Sequence, residues 1–230
     1  MDNIRWKGKS SLSYNGLIIL SLPPISSPPI NTRETVVEGK DGSIIELLGY
    51  KAYDKSIKIG LKGDAVSNIN DIIEYFSGSG ELVMSNEPDK VYQATIISQI
   101  DFDKLLRFRT AEVKFRVQPF KLLDGESEVS VASGDAVINS GNVESKPLIT
   151  IEGSGIVEVA VNGVNQFSYE FPADDSKVVI DCEKEDAYLD TALKNRYMTG
   201  EFPKLKAGSN TITFSGSVTS FKIVRKSRWI

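Results

Sequence analysis

The second half of the chain is a series of short apolar runs separated by turn signals, and this pattern narrows its fold more than any other feature. Ile212 and Phe214 alternate with polar residues, and Phe221 and Ile223 repeat the alternation. A period of two is typical of a strand with one buried face. Runs of this kind cover residues 148–151, 156–161, 167–171, 178–180, 211–214 and 218–224. Evenly punctuated short strands predict a β-sandwich.

Glycine-containing turns define the connections between these strands. Asn162-Gly163 lies between two valines and is a strong hairpin signal. Gly216-Ser217 separates the last two apolar runs, so we predict a tight hairpin there as well. Residues 124–135 are polar and contain glycine, which predicts a linker or a peripheral strand. We therefore place two domains at residues 1–128 and 129–230.

The first half mixes strands with one predicted helix. Apolar residues at positions 66, 69, 72, 73 and 76 recur at helical spacing; Ser67 or Asn68 can cap the start, and Gly78 can end the helix. Strands are predicted at residues 17–22, 57–61, 82–84, 91–100 and 113–117, with turns at residues 39–42 and 86–89. The predicted fold is mainly β with one helix: an N-terminal β-sandwich or ring domain of α+β type, followed by a C-terminal β-sandwich.

Composition excludes several kinds of catalytic site. The 230 residues include no histidine, so a Ser-His-Asp triad, a Cys-His pair and a histidine zinc site are all excluded. We predict that the single cysteine, Cys182, is a buried or half-buried strand residue. A net charge of −4 provides no basic face for tight nucleic-acid binding.

The sequence also shows no pattern typical of a transmembrane helix or a signal peptide. No apolar run approaches the ~20 residues of a transmembrane helix, and the first residues lack the basic-then-apolar order of a signal peptide. One cysteine suits a reducing compartment. We therefore expect a protein made and folded in the cytoplasm, with no membrane partner.

The densest carboxylate segment, residues 181–186 with Asp190 beyond it, has two interpretations. Its oxygens could bind calcium, but it lacks the glycine and the ligand spacing of an EF-hand loop, which favours a solvated loop. Paired carboxylates for glycoside hydrolysis need a particular separation in space. Sequence spacing across strands does not establish such a distance, so this interpretation has no support. Gly78-Ser79-Gly80 and Gly153-Ser154-Gly155 indicate turns rather than phosphate loops. We predict no catalytic, cofactor-binding or metal-binding residue and no cofactor.

Two further clusters permit binding. Aromatic residues near the acidic segment could form a stacking surface for a sugar, or could equally serve core packing or a subunit contact; they are Tyr188, Tyr197, Phe202 and Trp229. The basic residues Arg225, Lys226 and Arg228 could form a nucleic-acid patch, but the negative net charge favours a subunit or domain contact.

Many short segments, taken in order, resemble one family. They are Leu22-Pro23-Pro24-Ile25, Gly39-Lys40-Asp41-Gly42, Gly80-Glu81-Leu82, Pro88-Asp89-Lys90-Val91-Tyr92-Gln93-Ala94, Val113-Lys114-Phe115, Pro119-Phe120, Asn139-Ser140-Gly141-Asn142, Lys146-Pro147-Leu148-Ile149, Ile180-Asp181-Cys182-Glu183, Ala187-Tyr188, Gly200-Glu201-Phe202-Pro203 and Gly208-Ser209-Asn210. Their order is similar to that of the phage distal tail proteins, the Dit family, which are siphophage tail components of Gram-positive hosts.

The resemblance implies a structural baseplate hub at the virion tail tip rather than an enzyme. N-terminal domains would form a hexameric ring around the DNA channel, and C-terminal galectin-like sandwiches would project outward for host attachment. The ring would join the tail tube protein to a tail-associated lysin or fibre protein, with DNA only passing through. The chain has no room for the inserted sugar-binding domain of longer members. Alternatives from other classes are a carbohydrate-binding module for host cell-wall glycans and, with least support, a hydrolase.

Overall fold

Two compact units divide the chain. The computed structural model describes residues 2–63, 65–98 and 107–230. Unit 1 comprises Met1–Asp124 together with Ile230, and unit 2 comprises Gly125–Trp229. Each unit has its own buried apolar cluster, as expected of domains that fold around separate cores.

Among the elements whose bounds the structure describes, unit 1 has antiparallel strands, the short helix α1 (Ile69–Tyr75) and two 3₁₀ turns, at Ser11–Ser13 and Ala65–Asn68. Its elements are β1 (Ile4–Trp6), β2 (Lys9–Ser10), β3 (Leu17–Ser21), β4 (Ile30–Val36), β5 (Ser43–Tyr50), β6 (Tyr53–Leu61), α1 (Ile69–Tyr75), β7 (Ser79–Met84), β8 (Glu87–Ile96) and β9 (Thr110–Leu123). The main sheet has the order β2-β1-β7-β8-β9-β6-β3, and β4 pairs with β5 in a separate two-stranded sheet.

The core of unit 1 follows from strand alternation. In β9, Val113, Phe115 and Val117 are fully buried, whereas the residues between them are exposed. Ile57 of β6 pairs with Val113, which continues the apolar face across the sheet. Helix α1 adds Ile72 to the same cluster. Alternating apolar residues thus form one buried sheet face that α1 helps to cover.

The predicted helix is present but short. Asn68 occupies the N-cap position of α1 without a side-chain capping bond, and the C-cap is Phe76 rather than Gly78. The turn predicted at residues 86–89 is wrong, because Ser85-Asn86 form the turn and Glu87 begins β8. Pro88 is tolerated in β8 since pairing with β9 begins only at Lys90.

The strand predicted at residues 91–100 corresponds to β8, whose last residue is Ile96. Gln99 and Ile100, at the end of that prediction, lie outside the described residues.

Unit 2 is almost entirely β, with one 3₁₀ turn at Asn195–Tyr197. Its strands are β10 (Val129–Ser130), β11 (Ala136–Asn139), β12 (Leu148–Val161), β13 (Val164–Glu170), β14 (Lys177–Asp181), β15 (Asp186–Leu189), β16 (Ala192–Leu193), β17 (Met198–Gly200), β18 (Gly208–Val224) and β19 (Arg228–Trp229). The predicted fold class, mainly β with one helix, is confirmed.

Two long bent strands, β12 and β18, run through both layers of the unit 2 sandwich. The first half of β12 pairs with β14 and the second half of β18, and the second half of β12 pairs with β13 and the first half of β18. One layer therefore has the order β10-β18-β12-β14-β15-β16, while β11, β13 and β17 complete the other. The inward residues of both layers form a single apolar cluster.

The hairpin predicted at Gly216-Ser217 is wrong, because β18 continues through it as one strand. The register shifts there, and Gly216 has a φ of 92° with its missing Cβ position 2.2 Å from the carbonyl oxygen of Ile156. Gly153 on β12 is similarly close to Ser217. Glycine at these positions marks a bend with close backbone approach, not a chain reversal.

The hairpin predicted at Asn162-Gly163 is confirmed. Val161 pairs with Val164, and Asn162 and Gly163 have φ angles of 53° and 78°. Two consecutive positive φ angles are those of the type I′ turn that joins twisted strands closely.

None of the helices in the described part of the chain is long and apolar enough to cross a membrane.

Candidate assembly site

The hairpin of β4 and β5, which we call the arm, is exposed along its whole length. Within its two strands only Asn31 and Ser43 are even half-buried. Its exposed large apolar residues are Ile30, Val36, Ile44, Ile45, Leu47, Leu48 and Tyr50. A two-stranded hairpin is marginally stable by itself, and concentrated exposed apolar area marks an interaction surface. The arm is therefore the strongest candidate for a contact with another chain.

Strand register separates the arm into two unlike faces. Leu47 lies opposite Thr32 and Ile45 lies opposite Glu34, on the same side of the ribbon as Val36. These three residues, the apolar face, are 63% exposed at Ile45, 70% at Leu47 and 75% at Val36. The opposite face carries an exposed ion pair, Arg33 Nη1 to Glu46 Oε2 at 3.3 Å, which contributes little stability. The opposite face also carries Ile44, but the apolar face holds the three most exposed large apolar side chains of the arm and therefore gains most from burial.

The root of the arm, residues 23–29, is held by side-chain donors from the main sheet of unit 1. Asn86 Nδ2 donates to the carbonyl of Pro23 at 3.0 Å, and Lys55 Nζ donates to the carbonyl of Pro24 at 3.0 Å. Tyr53 Oη donates to the carbonyl of Ser26 at 3.4 Å. The proline-rich root supplies carbonyls without supplying many N–H groups, so side chains must meet them. The root is fixed although the strands beyond it are exposed.

Lys55 is a buried charge beneath the root. It is 2% exposed, and its Nζ lies 5.2 Å from the ring centre of Tyr92. Burial lowers the pKa of Lys55, while the nearby Glu87 carboxylate opposes that shift. Glu87 also pairs with Lys121 at 2.8 Å and accepts a hydrogen bond from Tyr92. A buried ammonium is tolerated here because a carbonyl, an aromatic face and a carboxylate surround it.

The acidic and basic segments of unit 2 neutralise each other. Lys226 Nζ lies 3.1 Å from Asp181 Oδ1, and Arg225 Nε lies 3.2 Å from Glu126 Oε1. Arg228 Nε donates to the carbonyl of Glu144 at 2.6 Å. All three cations therefore make contacts within unit 2, so they do not form a free basic patch.

Unit 2 resembles a known family of proteins in its sequence. Residues 140–229 match the family model of the siphovirus-type tail component, C-terminal domain, of the SPP1 Dit family. Unit 2 is a Dit-family domain. The sequence resemblance to the distal tail proteins is thereby confirmed. No curated protein matches the chain significantly.

Solved structures show that the likeness in fold extends beyond the Dit-family domain. The SPP1 Dit protein, described as a paradigm of the hub adsorption apparatus in phages infecting Gram-positive hosts, has a TM-score of 0.74 and 14% identity over 97% of each chain. A chain of the phage P2 baseplate, in its activated conformation with Ca, has a TM-score of 0.54 and 9% identity over 100% of each chain. At such identities the likeness concerns the fold.

Asp181 is the buried member of the acidic segment in the Dit-family domain. Burial raises its pKa, but hydrogen bonds from Lys226 and from the backbone N–H groups of Glu183 and Lys184 outweigh burial, so the pKa is lowered. Glu183 is exposed, as the solvated-loop interpretation expects. Among the described residues, no group of three or more His, Cys, Asp or Glu side chains could hold a metal ion.

Cys182 follows directly after β14 and is 2% exposed. Burial, with a smaller effect of Asp181, raises the pKa of its thiol to about 12. A thiol with so high a pKa is protonated at neutral pH and is a poor nucleophile.

The four aromatic residues considered for sugar stacking are all partly buried. Tyr197 and Phe202 pack against the apolar cluster of the Dit-family domain, and the Tyr197 ring lies 6.4 Å from that of Tyr169. Tyr188 belongs to β15 and Trp229 to β19. Core packing is thus a role of at least two of them.

The sequence patterns did not identify the arm as an exposed surface. Its signal was the unusually apolar run around Ile44 and Leu47 beside an Asp-Gly turn.

Proposed function

We propose that this chain is a hub protein at the virion tail tip of a siphophage, and that it acts by assembly rather than by chemistry. The domain predicted at residues 1–128 forms a ring, most simply a hexamer, around the channel through which DNA passes. The domain predicted at residues 129–230 carries adsorption or baseplate components. The ring joins the tail tube protein to a tail-associated lysin or fibre protein, after synthesis in the host cytoplasm.

The arm is the observation that carries this proposal. A closed ring needs a head-to-tail contact in which one surface of each copy meets a different surface of the next. A hairpin with one apolar face and a fixed root suits such a contact, since burying Ile45, Leu47 and Val36 against a neighbour removes apolar area from water. The Dit-family match of unit 2 supports a tail component independently of the arm.

The charge of the chain suits a channel for DNA. A net charge of −4 favours weak interaction with a passing polyanion, whereas a strongly basic lining would retain it. Such a channel needs shape and sealing, and neither depends on a catalytic group.

Native mass spectrometry and negative-stain imaging of the full chain test the proposal. The wild type should form a ring-shaped homo-oligomer, and Leu47→Asp should shift it towards the monomer because a carboxylate would be buried at the contact. Ile156→Asp is the matched control, since Ile156 is similarly exposed, at 60%, but lies in unit 2. A strict monomer at high concentration, with no ring after the tail tube protein is added, would contradict the proposal.

A further inference from the structure

A groove of about 610 Å³ lies in unit 2 beside the bend of β18. One side is formed by the segment that connects β10 to β11, and the other by residues on both sides of the Gly216 bend. The volume is within the range of small-ligand sites, which combine apolar walls with a few placed polar groups. Neither the residues of the arm nor the paired charged residues of unit 2 line this groove.

Two stacked rings form its apolar wall. The rings of Phe214 and Phe221 are 4.7 Å apart between centroids and only 7° from parallel. Phe221 is 3% exposed, whereas Phe214 remains partly exposed and lines the groove. Ser133 fixes Phe214, because its Oγ donates to the Phe214 carbonyl at 2.8 Å and accepts from the Phe214 N–H at 2.9 Å. The aromatic wall is therefore held in place before any ligand arrives.

Polar groups surround this wall. Asp135 Oδ2 accepts a hydrogen bond from the Ala132 N–H at 2.8 Å, which orients the carboxylate and leaves Oδ1 for another donor. Ser130 and Ser220 also line the groove. None of the residues that line it is a lysine or an arginine. The groove thus offers hydrogen-bond acceptors and hydroxyls next to an aromatic ring, with no cation to attract an anion.

We propose that this groove binds a neutral sugar, with one pyranose ring against Phe214 and its hydroxyls bonded to Asp135, Ser130 and Ser220. The C–H face of a pyranose is apolar and fits an aromatic wall, while its hydroxyl groups are strong donors to a carboxylate. An anionic ligand would meet Asp135 without compensation, and an apolar side chain would desolvate that carboxylate without a hydrogen bond. This site does not depend on the ring proposed above.

Saturation-transfer difference NMR on the full chain tests the site with maltotriose, chitotriose and lactose as probes. At least one should show saturable transfer concentrated on the C–H protons of one ring face. Phe214→Ala should abolish the transfer. Asp135→Asn should weaken binding roughly tenfold, because a hydrogen bond to a charged acceptor becomes one to a neutral acceptor. Val164→Ala, at an exposed apolar residue of unit 2 that does not line the groove, is the control and should leave binding unchanged.

Asp135→Asn keeps the test decisive even if Phe214→Ala fails to fold, because the asparagine oxygen still accepts from Ala132. The proposal is overturned if the folded wild type transfers saturation to none of the three sugars. Binding of the cation tetramethylammonium in place of the sugars also overturns it, because the groove would then select a cation rather than a neutral sugar. Equal binding by wild type and Asp135→Asn also overturns it. Ring formation is measured on the same samples. An intact ring without sugar binding refutes only this site. Sugar binding by a protein that stays monomeric at high concentration, even after the tail tube protein is added, refutes only the hub.

Discussion

Lys226 Nζ lies 3.1 Å from Asp181 Oδ1, which ties the segment after β18 to the end of β14. The carboxylate is buried and also accepts the N–H of Glu183 at 3.0 Å. Two charged segments that are distant in sequence therefore form one local contact within unit 2. In this contact Asp181 matters most, since it is the more buried partner.

Asp181→Asn should lower the free energy of unfolding by about 1–2 kcal/mol, because a charge-assisted hydrogen bond becomes a neutral one. The folded pKa of Asp181 is lowered, so its contribution is fully present above the unfolded value of about 3.9 and is lost as pH falls through the folded value. Urea denaturation at a series of acidic pH values measures this.

In that series, the difference between the wild type and Asp181→Asn should shrink as the pH falls. Exposed Asp190 provides the control variant, Asp190→Asn, which should stay close to the wild type throughout. A difference that is independent of pH would contradict the role of the ionised carboxylate.

Gly216→Ala should destabilise unit 2 by about 1–3 kcal/mol, the usual cost of a strained backbone position. Its φ is 92°, and an added Cβ would lie 2.2 Å from the carbonyl oxygen of Ile156. Gly155→Ala separates the two effects, since Gly155 has a φ of 66° but no heavy atom within 4 Å of its Cβ position. Equal losses for both variants, measured by urea denaturation, would show that close approach in the β18 bend is unimportant.

The same bend shows where sequence reasoning reaches its limit. Alternation in residues 211–214 and 218–224 identified strand residues and their buried face correctly, because burial imposes a period of two. Glycine between them has two physical uses, chain reversal and close backbone approach, and composition does not distinguish them. Asn162-Gly163 was predictable because two successive residues that tolerate positive φ leave few alternatives.

The candidate sites could not be predicted from the sequence, because their residues come together only in the tertiary structure. The pairing of Lys226 with Asp181 joins positions 45 residues apart, which no local pattern reveals. Isoleucine and leucine in the arm have the same pattern as buried strands, so the sequence does not show that they are exposed. The proposed groove likewise depends on how the bend of β18 brings Phe214 and Phe221 together.

Cys182 should resist alkylation in the folded protein. Burial raises the pKa of its thiol to about 12, so both access and thiolate are lacking at neutral pH. Iodoacetamide labelling followed by intact mass measurement should show little modification in native buffer and complete modification in guanidinium chloride. The chain contains one cysteine, so any added mass is assigned to it. Rapid labelling of the native protein would contradict the burial of Cys182.

Lys55→Met should loosen the root of the arm. The variant keeps the length of the side chain but leaves the Pro24 carbonyl without its donor, which we expect to cost about 1–3 kcal/mol. Hydrogen exchange should therefore become faster in residues 23–29 and in the arm strands. Ring yield should fall with it, because an arm without a fixed direction loses more conformational entropy on docking.

Lys58→Met is the matched control, since Lys58 is an exposed lysine on the same strand, β6. It should leave both hydrogen exchange and ring yield at wild-type values. If Lys55→Met unfolds unit 1, exchange will rise throughout the β6 and β9 pairs as well, which separates a global effect from a local one. Unchanged exchange in residues 23–29 of a folded Lys55→Met protein would show that the buried ammonium does not position the arm.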